Sequence, residues 1–177
     1  KKKGIDFIVC DHHKPGNEIP DAVAVLDPKR KDCNYPFDEL SGCGVGFKLV
    51  QAFHSKLNKD FSELVPLLDL VVISIASDIV PIIGEDRMLA FYGLKQLNTA
   101  PSTGVKTILN VCNLNSKEIT IEDIVFRIGP RINAAGRMES GKKSVDLLIS
   151  QDPGSALIIA EKINNFNIDR RNVDMNI

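Results

Sequence analysis

Asp11-His12-His13 places an acid and two imidazoles directly behind an apolar run, Ile5-Asp6-Phe7-Ile8-Val9-Cys10. Open α/β sheets bind ligands at the carboxyl ends of their strands, so these side chains stand where a divalent metal would be held. Imidazole and carboxylate together suit manganese, zinc or iron better than calcium. Lys14-Pro15-Gly16-Asn17 neither prolongs a strand nor opens a helix cleanly, which puts the histidines on a loop rim. A polar loop that happens to be rich in histidine fits the same residues. Asp78 is a second candidate ligand. It follows an apolar stretch and precedes Ile79-Val80-Pro81, and helix termination accounts for it equally well. Spacing alone does not show that Asp78 and His12 meet. A third feature, Gly129-Pro130-Arg131-Ile132-Asn133-Ala134-Ala135-Gly136-Arg137, reads as a tight polar loop. Its arginine forks match phosphate geometry and its glycines let the backbone approach an anion. A structural turn with surface arginines is the alternative.

The elements that must position these groups are legible in outline. Residues 5–10 and 22–26 read as strands, the first of them buried. Ser41 is a plausible N-cap for a helix over 42–57. Its early glycines, Gly42, Gly44 and Gly46, cost roughly 1 kcal/mol each against alanine, which suggests close backbone packing under the metal site. Further helices are expected over 62–77, 86–97, 101–110, 120–128, 142–150 and 153–172. The helix at 120 opens on a capping-box-like Thr120-Ile121-Glu122-Asp123 and ends at Gly129-Pro130. The fold class is therefore α/β, a parallel sheet flanked by helices and followed by a helical region. Lys1-Lys2-Lys3-Gly4 leads straight into a strand that would normally be central, so further βα units are expected upstream. The last segment turns polar after Ala160, as helices that bridge domains often do, and an ordinary frayed terminus fits the same residues.

Bulk properties exclude several classes. At 177 residues with 44% hydrophobic and 25% charged side chains, the chain is an ordinary globular one. A net charge of -1 advertises no global field for nucleic acid, although a local basic cleft is invisible in a sum. Cys10, Cys33, Cys43 and Cys112 show no CxxC spacing; Cys10 and Cys43 read as buried thiols, which fits a reducing cytosol. No apolar run approaches membrane-spanning length.

Four stretches in series resemble the DHH phosphoesterase superfamily, and within it the RecJ branch of single-strand-specific exonucleases. They are Val9-Cys10-Asp11-His12-His13, the small-residue helix Leu40-Ser41-Gly42-Cys43-Gly44-Val45-Gly46-Phe47-Lys48-Leu49, the stretch Ala76-Ser77-Asp78-Ile79-Val80-Pro81-Ile82, and Ile128 to Met138. The resemblance implies residues 1–152 as a partial DHH domain lacking N-terminal βα units, and 153–177 as the start of a helix linking to a second domain. It implies His12 and Asp78 as ligands of Mn2+ or Mg2+, with His13 at the scissile phosphate or a metal. Asp11 would position the histidine loop. Arg131, Asn133 and Arg137 would face nucleic-acid phosphates. The implied activity is 5′-to-3′ hydrolysis of single-stranded DNA in repair and recombination, in the cytoplasm. Single-strand-binding protein or helicase partners are compatible with it, and the oligomeric state is left open. Earlier acidic motifs of the family fall outside this sequence, so the 177 residues alone are expected to be inactive.

Two alternatives follow from the same residues. One is a DHH phosphoesterase acting on short oligonucleotides or cyclic dinucleotides, against which the Gly129–Arg137 run argues. The other is a non-catalytic replication scaffold of the same fold, which would have no need of both histidines and Asp78.

Overall fold

A computed structural model describes residues 4–138 and 140–175, the side chains of 137, 138 and 173–175 lying outside the description. Strand β1 (Ile8–Cys10) pairs in parallel with β2 (Ala24–Leu26), Ile8 opposite Ala24 and Cys10 opposite Leu26. Both strands are shorter than the apolar runs that announce them. The ladder is prolonged by bonds from Val23 N–H to the Phe7 carbonyl and from Asp11 N–H to the Leu26 carbonyl, both 2.9 Å. The expected burial of the first strand is not observed: Ile5, Phe7 and Ile8 are exposed, as is the Cys10 thiol that reads as buried in sequence. Apolar composition marks a strand that can be covered on both faces, but here β2 and the edge of α1 are its main neighbours and most of its side chains stay exposed.

Helices make up the remainder. Helix α1 (Gly42–Lys56) starts where expected, with the Ser41 hydroxyl accepting from Gly44 N–H. The single helix expected over 62–77 is instead a 3₁₀ segment, Phe61–Leu67, running into α2 (Leu68–Asp78). Pro66 explains the split, since it lacks the N–H and crowds the preceding turn of an α-helix. Then come α3 (Gly84–Thr99), α4 (Thr103–Val111) and α5 (Ile121–Asp123), the last with the reciprocal Thr120–Asp123 capping box. Ile124–Ile128 winds as a π-helix into α6 (Gly129–Met138); α7 (Gly141–Leu148) and α8 (Pro153–Met175) complete the chain.

The core lies between α2 and the helices after it. Val72, Ile75, Ile108, Leu147 and Ile163 are fully buried. Each such side chain is worth roughly 1.5–3 kcal/mol of transfer free energy. Helices α4 and α7 cross so closely that a Cβ on Gly104 would stand 1.9 Å from the Leu147 carbonyl oxygen, a distance only glycine permits. Helix α8 buries Ala156, Ala160, Ile163 and Asn167 against α4, α6 and α7. One stripe of it is therefore core, with Asn167 as its polar member, and Glu161, Lys162 and Asp169 lie on the exposed faces. Among the described residues no helix is long and apolar enough to cross a membrane.

Candidate metal centre

The loop after β1 is organised by one carboxylate. Asp11 Oδ1 accepts from the backbone N–H of His12 at 2.7 Å and of His13 at 3.1 Å, and lies 2.7 Å from His13 Nδ1. An aspartate bonding the backbone just ahead of it closes a tight turn without help from Gly. These bonds, those from His13 first, hold the Asp11 carboxyl at about 2, so it is ionised at neutral pH. The turn sends the two histidines different ways. The His13 side chain is 78% exposed, whereas that of His12 is 16% exposed and faces the helices.

His12 Nε2 stands 3.8 Å from Asp78 Oδ2. The first residue of α1 makes room for this: a Cβ on Gly42 would lie 3.3 Å from His12 Cδ2 and 3.6 Å from Nε2, so the helix start packs flat on the imidazole. Ser74, one turn before Asp78, joins the parts. Its hydroxyl accepts from Cys43 N–H at 3.3 Å and donates to Asp78 Oδ2 at 3.4 Å. Nothing in the sequence marks Ser74 for this task. Burial, with Asp69 and Asp78 adding to it, pushes the nearby Cys43 thiol up to about 11, so it stays protonated and is a poor ligand.

Asp78 is the last residue of α2, and Ile79 caps that helix in the left-handed region (φ 55°, ψ 37°). A β-branched residue there is a true outlier costing on the order of 1–3 kcal/mol, and such strain gathers at functional sites. The negative end of the α2 dipole also favours a cation beside Asp78.

The segment from Gly129 is not the polar loop its composition suggests. It is α6, continuous with the π-helical turn before it, in which Gly129 N–H donates to the Ile124 carbonyl. The wider π register accommodates Pro130, whose ring would clash with the carbonyl of a regular preceding turn. The helix separates residues that a loop would have gathered. Asn133 and Arg137, one turn apart, share a face, whereas Arg131 lies roughly 160° from Asn133 around the axis. Arg131 turns to α8: its Nε donates to Asn164 Oδ1 at 2.8 Å and its guanidinium to the Arg127 carbonyl at 2.6 Å. Asn133 is exposed and lines a cavity of about 200 Å³ together with Ser77, Ile79, Pro130 and Arg170. The side chain of Arg137 lies outside the described residues. A larger cavity of about 670 Å³, between β2, its following loop and α1, contains neither His12 nor Asp78.

The donor set can be tested for fit. Octahedral coordination at roughly 2.0–2.1 Å puts adjacent ligand atoms about 3 Å apart, so His12 Nε2 and Asp78 Oδ2 can share one ion after a small side-chain rotation. The described residues hold no cluster of three or more His, Cys, Asp or Glu donors. The arrangement is a two-ligand corner in which the Asp78 side chain is exposed to solvent.

Residues 1–75 match the family described as DHH family, N-terminal domain. The chain is 38% identical over 171 residues to the single-stranded-DNA-specific exonuclease RecJ of Bacillus subtilis strain 168, a match covering 97% of the chain and 21% of that protein. It is 34% identical over 181 residues to RecJ of Escherichia coli K12, covering 97% of the chain and 31% of that protein. The crystal structure of RecJ in complex with Mn2+ from Thermus thermophilus superposes with a TM-score of 0.83 at 26% identity, covering 98% of the chain and 26% of the other. The Mg2+ complex of RecJ from the same organism gives 0.79 at 26% identity, over 97% of the chain and 25% of the other. The chain thus spans about a fifth to a third of the length of the curated relatives it matches.

Proposed function

We propose that this chain, a RecJ-like segment containing the DHH motif, is the part of a metal-dependent single-strand DNA exonuclease that supplies one histidine and one aspartate to the metal centre. The observation that carries the reading is the convergence of His12 and Asp78 at 3.8 Å from distant points of the sequence. The named activity of the matched relatives and the Mn2+ and Mg2+ in the matched structures support the substrate class and the cofactor. Digestion from the 5′ end, a role in DNA repair and recombination, and a cytoplasmic setting belong to the same proposal. We place the domain boundary near residue 152, with α8 leading towards a further domain.

Divalent ions, when bound, lower the pKa of a water and stabilise charge on the attacking and leaving oxygens of a phosphodiester. The chain's own residues prepare that chemistry. His12 and Asp78 hold the ion, and Ser74 orients the Asp78 carboxylate from the side. Asp11 fixes the turn that aims His12 inward and leaves His13 exposed at the rim, where it meets the scissile phosphate. Asn133, with Arg137 one turn on, faces the strand's phosphates. Two ligands hold an ion weakly, so the 177 residues alone have no nuclease activity.

Turnover of 5′-phosphorylated single strands by the intact protein in Mn2+ tests the reading. His12→Ala should abolish it while leaving the fold intact. A His12→Ala protein that degrades the strand at the wild-type rate would overturn the assignment.

A further inference from the structure

We propose that Glu85, at the start of α3, is a positioning residue that braces the metal centre: through Lys48 and Tyr35 its carboxylate ties the turn that follows Asp78 to the helix that seats His12, and so sets the distance between the two candidate ligands. The inference rests on the reading of His12 and Asp78 as ligands of one ion, and names what holds them in register.

The two ligands reach the site on separate elements. His12 rests on the first turn of α1, against Gly42, and Asp78 ends α2. One tie between these elements is the Ser74 hydroxyl, which bonds Cys43 N–H at 3.3 Å and Asp78 Oδ2 at 3.4 Å. Both bonds are at the long end for such groups and therefore weak. The bonds to Glu85 are short. Its Oε2 accepts from the Tyr35 hydroxyl at 2.6 Å, and its Oε1 lies 2.7 Å from Lys48 Nζ. Hydrogen bonds to an ionised group are roughly twice as strong as neutral ones. The Lys48 and Glu85 side chains are each 26% exposed, so water screens this pair less than it does a surface ion pair. Lys48 Nζ also donates to Gln51 Oε1 at 2.5 Å, which fixes it along α1. Burial first, then the Glu85 carboxylate, raise the Tyr35 phenol above its ordinary value, so it remains a donor. Glu85 thus receives one donor from α1 and one from the loop after β2.

The turn between Asp78 and Glu85 is stiff enough to pass this constraint on. Ile79 is held left-handed, Val80 N–H bonds the Ile75 carbonyl at 3.4 Å, and Pro81 fixes its own φ. Ile83 N–H then bonds the Pro81 carbonyl at 2.9 Å, and the Ile83 carbonyl accepts from Arg87 N–H at 3.2 Å, so the turn is bonded to α2 at one end and to α3 at the other. Gly84 enters α3 at φ 48°, and a Cβ there would stand 2.8 Å from Phe37 Cε2. The loop that sends Tyr35 to Glu85 therefore also packs on the residue before it. A shift of α3 relative to α1 would move Asp78 against His12 through this turn, and Glu85 opposes that shift. It is not itself a third ligand, since the described residues hold no cluster of three such donors.

The experiment uses the intact protein. Mn2+ affinity without DNA is read by titration calorimetry, turnover of a 5′-phosphorylated oligothymidylate as a function of Mn2+ concentration, and stability by thermal melting. Glu85→Gln is expected to weaken Mn2+ binding about fivefold and to raise the Mn2+ concentration for half-maximal turnover to the same extent, while kcat at saturating Mn2+ holds. Tyr35→Phe removes one hydroxyl and should weaken binding about threefold, which keeps the test open if Glu85→Gln folds poorly. Lys48→Met should act in the same direction, Lys48→Arg should keep most of the affinity, and Lys48→Met combined with Glu85→Gln should cost no more than Glu85→Gln alone. Lys117→Met breaks an ion pair of the same length in the helical body, Lys117–Asp123 at 2.7 Å, and should leave Mn2+ affinity at the wild-type value. Wild-type Mn2+ affinity in both Glu85→Gln and Tyr35→Phe would overturn the brace. So would a Lys117→Met protein that loses as much affinity as Glu85→Gln, because the loss would then be one of general stability. A His12→Ala protein that binds Mn2+ as the wild type does would overturn the metal centre and the brace together. A protein that loses Mn2+ in Glu85→Gln but never cleaves the strand as wild type would overturn the exonuclease reading alone.

Discussion

The helical body and the strand-and-loop edge solve opposite problems. In the body, α2, α4, α7 and α8 bury Val72, Ile75, Ile108, Leu147 and Ala160 completely, and the α4–α7 crossing is so tight that only a glycine fits at 104. At the edge, two three-residue strands leave Ile5, Phe7 and Val23 exposed, and the loop behind β1 is ordered by a single exposed carboxylate. Stability therefore resides in the body and candidate chemistry at the edge. Asp78 is where they join: it ends one of the most buried helices and faces a histidine from the least buried strand. Rigid elements carrying half of a site give its geometry precision that loops alone do not.

If the division holds, edge substitutions abolish chemistry and spare the fold, and body substitutions do the reverse. His12→Ala should show the largest effect, lowering turnover of the intact protein about a thousandfold with Tm shifted by no more than a degree or two. A large drop in Tm would show that the edge is structural after all. Gly104→Ala should do the opposite. Overpacking costs typically about 1–3 kcal/mol, and a Cβ 1.9 Å from a carbonyl oxygen belongs at or above the top of that range. Urea unfolding measures it, and the rate per folded molecule should not change.

Asp86 sharpens the comparison through pH. It lies in the first turn of α3, is fully buried, and neither carboxylate oxygen has a hydrogen-bond partner. Burial first, then Glu85 and Glu39, raise its carboxyl to about 6. A carboxyl raised on folding costs stability wherever it must ionise. The cost is absent below the ordinary carboxylate range, grows as pH rises through it, and is complete above about 6. Asp86→Asn should therefore gain about 2 kcal/mol more at pH 7.5 than at pH 3, seen as a flattened pH profile of unfolding free energy. An unchanged profile would show that the body tolerates this charge. The smallest effect is expected from Asp11→Ala, which removes the turn's acceptor without touching a candidate ligand. Metal affinity of the intact protein should fall about tenfold by titration calorimetry, with unfolding unaffected.

Local rules carried much of this into the sequence. The Ser41 and Thr120 caps and the glycine-rich start of α1 are each written in a few adjacent residues and stand where those residues put them, whereas the helix expected over 62–77 is divided at Pro66 and the one from 120 turns π-helical after Asp123. The close packing expected from Gly42 is found, against His12 itself. Whatever depends on rotation about a helix axis was not legible. Gly129-Pro130 reads as a helix stop, yet a π turn carries the helix through it and sends Arg131 and Asn133 to different neighbours. Ser74 is an ordinary helix residue by type, and only the packing of α1 on α2 brings out its place between Cys43 and Asp78. Strand burial was over-read at Ile5, Phe7 and Cys10, because composition records what a strand can bury, not what covers it.

The central claim is that His12 and Asp78 are ligands of one ion. Pulsed electron paramagnetic resonance of Mn2+ bound to the intact protein addresses it directly. The account expects an imidazole nitrogen coupling that disappears in His12→Ala, with Mn2+ affinity falling in both His12→Ala and Asp78→Asn while the folded state persists. A nitrogen coupling that survives His12→Ala, with wild-type Mn2+ affinity in both variants, would contradict it.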